Sequence, residues 1–287
     1  MKTILSRELK AYFYSPIGYV FLTFYLFIFG FYFCGVNINQ SNGDYSIVFN
    51  YLVNLLLFTL PLVTMRLLPE EKKNNTDQLL LTAPIHVKDI VIGKYLAAVL
   101  LFLLTLVITL IHPIILTVLG DVPWPTVIST YVGYFLLGAT LIAISLFISS
   151  LTENQIISAI ASIGIFLLLL LIDALATLIP PQRFSSLIFV FVLIIMLTLY
   201  IYASIKDVYV SLIIGLICAT STLLTYKFFG NLFDGLCTRV LQWLSLFSRY
   251  SNFGDGLFDI GAIVYYLSFI FVFLFLTNQT IEKRRWN

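Results

Sequence analysis

From Tyr95 to Leu119 the chain carries no Asp, Glu, Lys or Arg. A run of that length dictates the fold class. About 20 predominantly apolar residues are enough for a helix to cross the hydrocarbon core. Within lipid a crossing segment must satisfy its own backbone N–H and C=O groups, which selects the α-helix. Comparable runs recur over 17–36, 46–65, 126–149, 155–179, 184–205, 208–229 and 260–278. Together they predict an all-α polytopic membrane protein with about eight crossings. Composition agrees: 10% of residues are charged and 60% are hydrophobic, where soluble domains carry about 25% charged residues. A water-soluble fold is excluded, and a net charge of +2 is too small to imply a nucleic-acid partner.

Flanking charges set the expected orientation, because cytoplasmic loops hold the excess of Lys and Arg. With both termini inside, Lys2, Arg7, Lys10, Arg66, Lys72, Lys73, Lys88, Lys94, Lys206, Lys283, Arg284 and Arg285 face the cytoplasm. Only Arg183, Lys227, Arg239 and Arg249 fall outside. Six or eight crossings fit this arrangement and seven do not. The expected location is the cell (plasma or inner) membrane, multi-pass, with both termini cytoplasmic. No small-residue cleavage site follows the first apolar run, so a secretory signal is not expected.

Residues 1–15 read as a helix lying in the membrane surface. Leu5, Leu9, Tyr12 and Phe13 share one face, and Lys2, Ser6, Arg7 and Lys10 lie elsewhere. Ser15-Pro16 ends it. Residues 231–259 read as an extracellular amphipathic or re-entrant segment. Over 231–249, Leu232, Leu236, Val240, Trp243, Leu244 and Phe247 oppose Arg239, Gln242, Ser245 and Arg249. Arg239, Trp243 and Arg249 are candidates for an outer gate.

Catalytic signatures are absent. The sequence has no G-x-x-x-x-G-K-[ST], H-E-x-x-H or G-x-S-x-G, and Cys34, Cys218 and Cys237 form no metal pattern. His112 precedes Pro113, whose missing N–H leaves the Thr109 carbonyl free and predicts a kink. Asp173 is the acidic residue inside an apolar stretch, where a carboxylate has to face protein or water. Asp173 and His112 are candidates for a pathway or subunit contact.

Residues 67–94 form the one long charged stretch between the apolar runs. Pro69 suits the first position of a helix, with Glu70 and Glu71 in its first turn and Lys72 and Lys73 behind them, as the helix dipole favours. Asn75 and Gln78 have capping-box spacing before Leu79, Leu80 and Leu81, and Pro84 is a stop. One reading is a solvated loop whose charges set topology; the other is a docking surface held at the membrane face.

RELKAYFYSPIGYVF at the start, PEEKKNNTDQLLLTAP followed by VIGKYLAA, LFISSLTENQI, and DIGAIVYYLSFIFVFLFL near the end resemble ABC-2 type transporter permeases, closest to the gliding-motility and nitrous-oxide-reductase-maturation type. The resemblance spans roughly residues 5–180 and 243–286. It implies a single transmembrane permease domain over 1–287, of the type V exporter-like kind, with six family-like crossings plus an added pair at 184–230. It also implies a coupling region of Pro69, Glu70, Glu71, Thr76, Asp77, Gln78, Leu79, Leu80, Thr82 and Pro84 that docks on a separate ABC ATPase, two copies per complex. A second permease copy, as homo- or heterodimer, and the lipid bilayer complete the implied partners. ATP and Mg would sit in the ATPase, with no cofactor and no catalysis in this chain. The family's Gly before that Thr and Glu two residues after it are replaced by Asn75 and Gln78.

The resulting expectation is an exporter permease for an amphipathic, lipid-like or peptide substrate. The alternative is a non-transporting scaffold that transmits ATPase work to an extracellular machine. An ion-coupled transporter would need more intramembrane charge than Asp173, and an intramembrane hydrolase would need paired aspartates or a Ser/His set.

Overall fold

The computed structural model describes residues 1–40, 42–74, 76, 86–180 and 182–286. Among them the regular elements are helical, and eight helices are long and apolar enough to cross a membrane. In order they are α1 (Lys2–Tyr14), α2 (Pro16–Tyr32, continuing into a π-helical turn over Phe33–Ile38), α3 (Ser46–Thr64), α4 (Pro69–Lys73), α5 (Val87–Thr109), α6 (Ile111–Leu119) and α7 (Trp124–Leu151). There follow α8 (Gln155–Leu178), α9 (Arg183–Ile205), α10 (Val208–Phe228), a 3-10 turn Gly230–Phe233, α11 (Leu236–Leu244), α12 (Phe247–Gly254) and α13 (Ile260–Trp286). Packing divides the chain into two compact units: Met1–Leu168 with Arg249–Asn287, and Leu169–Ser248.

The first unit is organised around α7, which packs on α3, α5 and α13. Of its apolar window, 78% is buried, so this helix is core rather than lipid-facing. Two kinds of polar contact run through that core. Thr64, Ser145 and Ser162 join α3, α7 and α8 through their hydroxyls. Tyr25 donates to Tyr134, which donates to the Leu52 carbonyl. Each hydroxyl is thereby satisfied without water, the condition for keeping it inside a membrane bundle.

Ser15 is extended (φ −100°, ψ 154°) and Pro16 takes the first helical position of α2, so α1 ends where the Ser-Pro pair predicts. The turn is tight. A Cβ on Gly18 would lie 2.5 Å from the Tyr12 carbonyl oxygen, so the close approach of α1 and α2 depends on glycine. Pro113 has the expected effect further on: the helix breaks at Leu110, between α5 and α6.

Two boundaries differ from the sequence reading. The third crossing begins at Val87 rather than near Tyr95, so residues 87–94 are the first two turns of α5 and not part of a loop. Lys88, Asp89 and Lys94 do not stop a helix, and Asp89 in its first turn favours it. The amphipathic stretch 231–249 is not one helix: Gly235 takes φ 68° and Ser245 is extended, leaving a 3-10 turn, α11 and the start of α12. The side-chain pattern alone did not reveal these two interruptions.

In the second unit α9 and α10 form a hairpin. Lys206 closes α9 with φ 57°, and the Asp207 side chain caps α10 by accepting from the N–H groups of Tyr209 and Val210. At the other end Arg183 donates to both Asp234 carboxylate oxygens, at 2.6 and 3.1 Å, and to Asn231 at 2.8 Å.

Gly18→Ala is expected to lower stability by about 1–3 kcal/mol, the usual range for overpacking, because the atom it meets is backbone and cannot rotate away. Thermal unfolding of the purified protein in mild detergent measures the loss. Limited proteolysis at α1 reports whether that helix undocks.

Candidate functional site

The charged residues around α4 converge on one another rather than on solvent. Lys94, two turns into α5, is 1% exposed. Its ammonium lies 3.1 Å from Glu8 of α1 and 2.9 Å from Glu71 of α4, and donates to the Leu67 carbonyl at 2.6 Å. All three donor positions of the ammonium therefore have acceptors. Arg7 closes the cluster at the rim, 2.7 Å from Glu8 and 2.6 Å from Glu71. These residues line a cleft of about 230 Å³ together with Arg66, Glu70, Asn74 and Thr76.

Local sequence explains how the groups meet. Ile4, Glu8 and Tyr12 recur every fourth residue and form the buried face of α1. That face rests on α5 where Gly93 stands: a Cβ there would come within 3.0 Å of Ile4. Gly93 thus admits α1, and Lys94 beside it reaches Glu8. The apolar stripe of Leu5, Leu9 and Phe13 is half-exposed, so α1 has one face in the protein and an adjoining one along an open cleft. Arg7 belongs to the protein side, since it binds Glu8 and Glu71 rather than headgroups.

The same element holds α3 and α7. Arg66 pairs with Glu70 at 3.1 Å and donates to Ser15 at 2.8 Å, next to the α1–α2 break. The Tyr12 hydroxyl donates to the Val63 carbonyl at 2.9 Å, one of the last carbonyls of α3. Lys72 donates to the carbonyls of Ser150 and Thr152, placing a cation on the C-terminus of α7. Arg284 of α13 meets Glu153 at 2.7 Å just beyond. A helix of five residues is thus tied to α1, α5 and α7, and to Arg66 just after α3.

Burial by itself would raise the Glu8 carboxyl, but the Lys94 charge, with hydrogen bonds from Arg7 and Lys94, outweighs it and holds the group below its ordinary range. A carboxyl depressed on folding stabilises the folded state above its ordinary value of 4.5. That contribution is lost as pH falls through the lower folded value.

The other candidates are scattered. Pro69 is buried, Glu70 and Glu71 are half-buried in ion pairs, and Thr76 is exposed, its N–H donating to the Glu71 carbonyl at 3.0 Å. Asp77, Gln78, Leu79, Leu80, Thr82 and Pro84, with Asn75 and Leu81, lie outside the described residues. His112 stacks on Phe33, ring centroids 4.5 Å apart, and on Phe29, and its Nδ1 meets the Tyr45 hydroxyl at 3.0 Å. Asp173 is half-buried on α8. In the second unit Arg239 is exposed and Trp243 is 60% exposed on α11. In the first, the Arg249 guanidinium lies 4.0 Å from the centre of the Tyr265 ring. The residues that build the cluster from other elements, Glu8 and Lys94, were not singled out in the sequence. The available signal was the position of Lys94 directly before the uncharged run from Tyr95 to Leu119.

A family model described as ABC-2 family transporter protein matches residues 10–209. The chain belongs to the ABC-2 transporter family. The match runs from within α1 to the start of α10, so it takes in the end of α1, all of α4 and the base of α5, and leaves out Arg7 and Glu8. No curated protein matches the chain. As an ABC-2 family member it is a multi-pass membrane transport component, and the family associates with an ABC ATPase and membrane lipid.

Lys94→Met is expected to cost about 3–5 kcal/mol, because two carboxylates then stay buried with no ammonium between them. Adding Glu8→Gln should recover part of that loss. Chemical unfolding in detergent measures both. Glu8→Gln alone should flatten the fall in stability of the wild type below about pH 4.5, which a pH series of melting temperatures checks.

Proposed function

We propose that this chain is the membrane-spanning permease subunit of an ABC exporter, driven by a separate ATPase that docks at the coupling region beginning at Pro69. The observation that carries the reading is the anchoring of α4: a displacement of this helix acts at once on α1, α5 and α7, and on Arg66 just after α3, through charge-assisted contacts. Two ATPase copies, holding ATP and Mg, would close on nucleotide binding and push on α4. A second permease copy would complete the pathway in the cell membrane, with both termini and α4 in the cytoplasm. The proposed substrate is amphipathic, lipid-like or peptide, since the apolar runs of the sequence hold no cluster of charges for a hydrophilic ion. The narrower kinship to the gliding-motility and nitrous-oxide-reductase-maturation type belongs to the same proposal.

The ion pairs decide which variants test docking. Glu71 is engaged inside the protein, so its reversal would disturb the fold as well as any interface. Lys73, Asn74 and Thr76 are exposed at the same place. A tagged chain purified in mild detergent from its native membrane is expected to bring down an ABC ATPase with vanadate-sensitive ATP hydrolysis. Combining Lys73→Glu with Thr76→Arg should reduce recovery of the ATPase at least tenfold and leave the melting temperature of the chain unchanged. A chain that purifies without an ATPase, or a double variant that retains it fully, would overturn the docking assignment.

A further inference from the structure

Outside its buried face, α1 carries two adjoining rows of side chains. Lys2, Ser6 and Lys10 recur every fourth residue and form one row; Leu5, Leu9 and Phe13, with the same spacing, form the other. Both rows, with Tyr14 and Tyr19, line an open cleft of about 550 Å³ at the α1–α2 junction. The Phe13 and Tyr19 rings meet edge to face across the Ser15-Pro16 break, centroids 6.0 Å apart. The apolar wall therefore continues from one helix to the other. α2 enters the membrane from Pro16, and α1 rests on Gly93 in the first two turns of α5, also a crossing helix. The cleft thus opens at the end of two crossings, at the level of the lipid headgroups.

The cationic side chains of α1 are divided between two tasks. Arg7 is engaged by Glu8 and Glu71. Lys2, Ser6 and Lys10 are exposed and have no partner among the described residues. No Asp or Glu is among the described residues of the lining. An occupant with a net negative charge is therefore favoured, since a zwitterionic headgroup would bring its own cation beside two ammoniums. Lys2 and Lys10 stand about 12 Å apart along the axis, with Ser6 midway. Their flexible four-carbon stems let both ammoniums turn toward a phosphate at Ser6. A soluble phosphate would use that row alone. The Leu5, Leu9 and Phe13 row beside it is covered only by an occupant with an apolar chain. Tyr14 and Tyr19 are exposed, and tyrosine, with an apolar body and a polar tip, suits the boundary between headgroup and chain.

We propose that this cleft binds one anionic phospholipid, with the headgroup phosphate on Lys2, Ser6 and Lys10 and an acyl chain along Leu5, Leu9 and Phe13. The other side of α1 carries Glu8 into the Lys94 cluster, so a bound lipid braces the helix against the protein. The site does not depend on the ATPase reading and is tested without it. The delipidated chain in neutral detergent is titrated with phosphatidylglycerol and with phosphatidylcholine of the same acyl chains, and bound lipid is counted by native mass spectrometry. Phosphatidylglycerol is expected to bind saturably and about tenfold more tightly, since each lysine near an anionic surface contributes about fivefold. It should also raise the melting temperature more than the choline lipid does. Lys2→Gln combined with Lys10→Gln should abolish the preference and leave the melting temperature of the lipid-free chain unchanged. Lys88→Gln combined with Lys283→Gln removes the same charge from other exposed positions and should keep the preference. Equal binding of the two lipids, or no saturable binding, would overturn the proposal and leave the cleft to bulk lipid. An equal loss in both double variants would overturn it in favour of general surface charge. Displacement of the lipid by an equal concentration of glycerol phosphate would overturn it in favour of a free phosphate.

Discussion

An ammonium ion two turns inside an apolar helix is stable only if its counter-charges come with it, and Lys94 obtains them from two other segments. Glu8 arrives on α1 and Glu71 on α4. Desolvating any one of these charges alone would cost several kcal/mol, and the attraction among them repays it only when all are in place. The burial of α5 at this level, the docking of α1 and the seating of α4 are therefore one event. Gly93 is the steric half of the same arrangement, since it lets α1 close enough for Glu8 to reach.

This dependence gives α1 a double role. Its Ile4, Glu8 and Tyr12 face is part of the protein core, while Leu5, Leu9 and Phe13 line a separate cleft with Lys2 and Lys10. The helix is held by ion pairs along one side and keeps a half-exposed apolar stripe along the other. Motion of α4 then cannot leave α1 behind, because Arg7 and Glu8 both reach across to the cluster. The π-turn, the Leu110 break and the kinking Pro113 all lie beyond α2 and α5, away from this end.

Much of the architecture was legible because lipid imposes a single rule, that long apolar runs become helices. The crossings, the Ser15-Pro16 stop, the helix opening at Pro69 and the break before Pro113 all follow from local chemistry. What stayed hidden depends on partners distant in sequence. Lys94 reads as one more cytoplasmic charge until Glu8 and Glu71 are placed around it. Arg7 reads as a headgroup contact for the same reason, because periodicity distinguishes faces but not what covers them. The interruptions at Gly235 and Ser245 were missed because a side-chain pattern can continue across a backbone that changes direction.

The contacts around α4 form a single connected network. Around α4 the Lys94 ammonium has three acceptors and the free carbonyls of α3 and α7 are capped by Tyr12 and Lys72. A satisfied network in a low-dielectric setting resists deformation, because any displacement breaks strong contacts before it makes new ones. That is the property required of a part that transmits force.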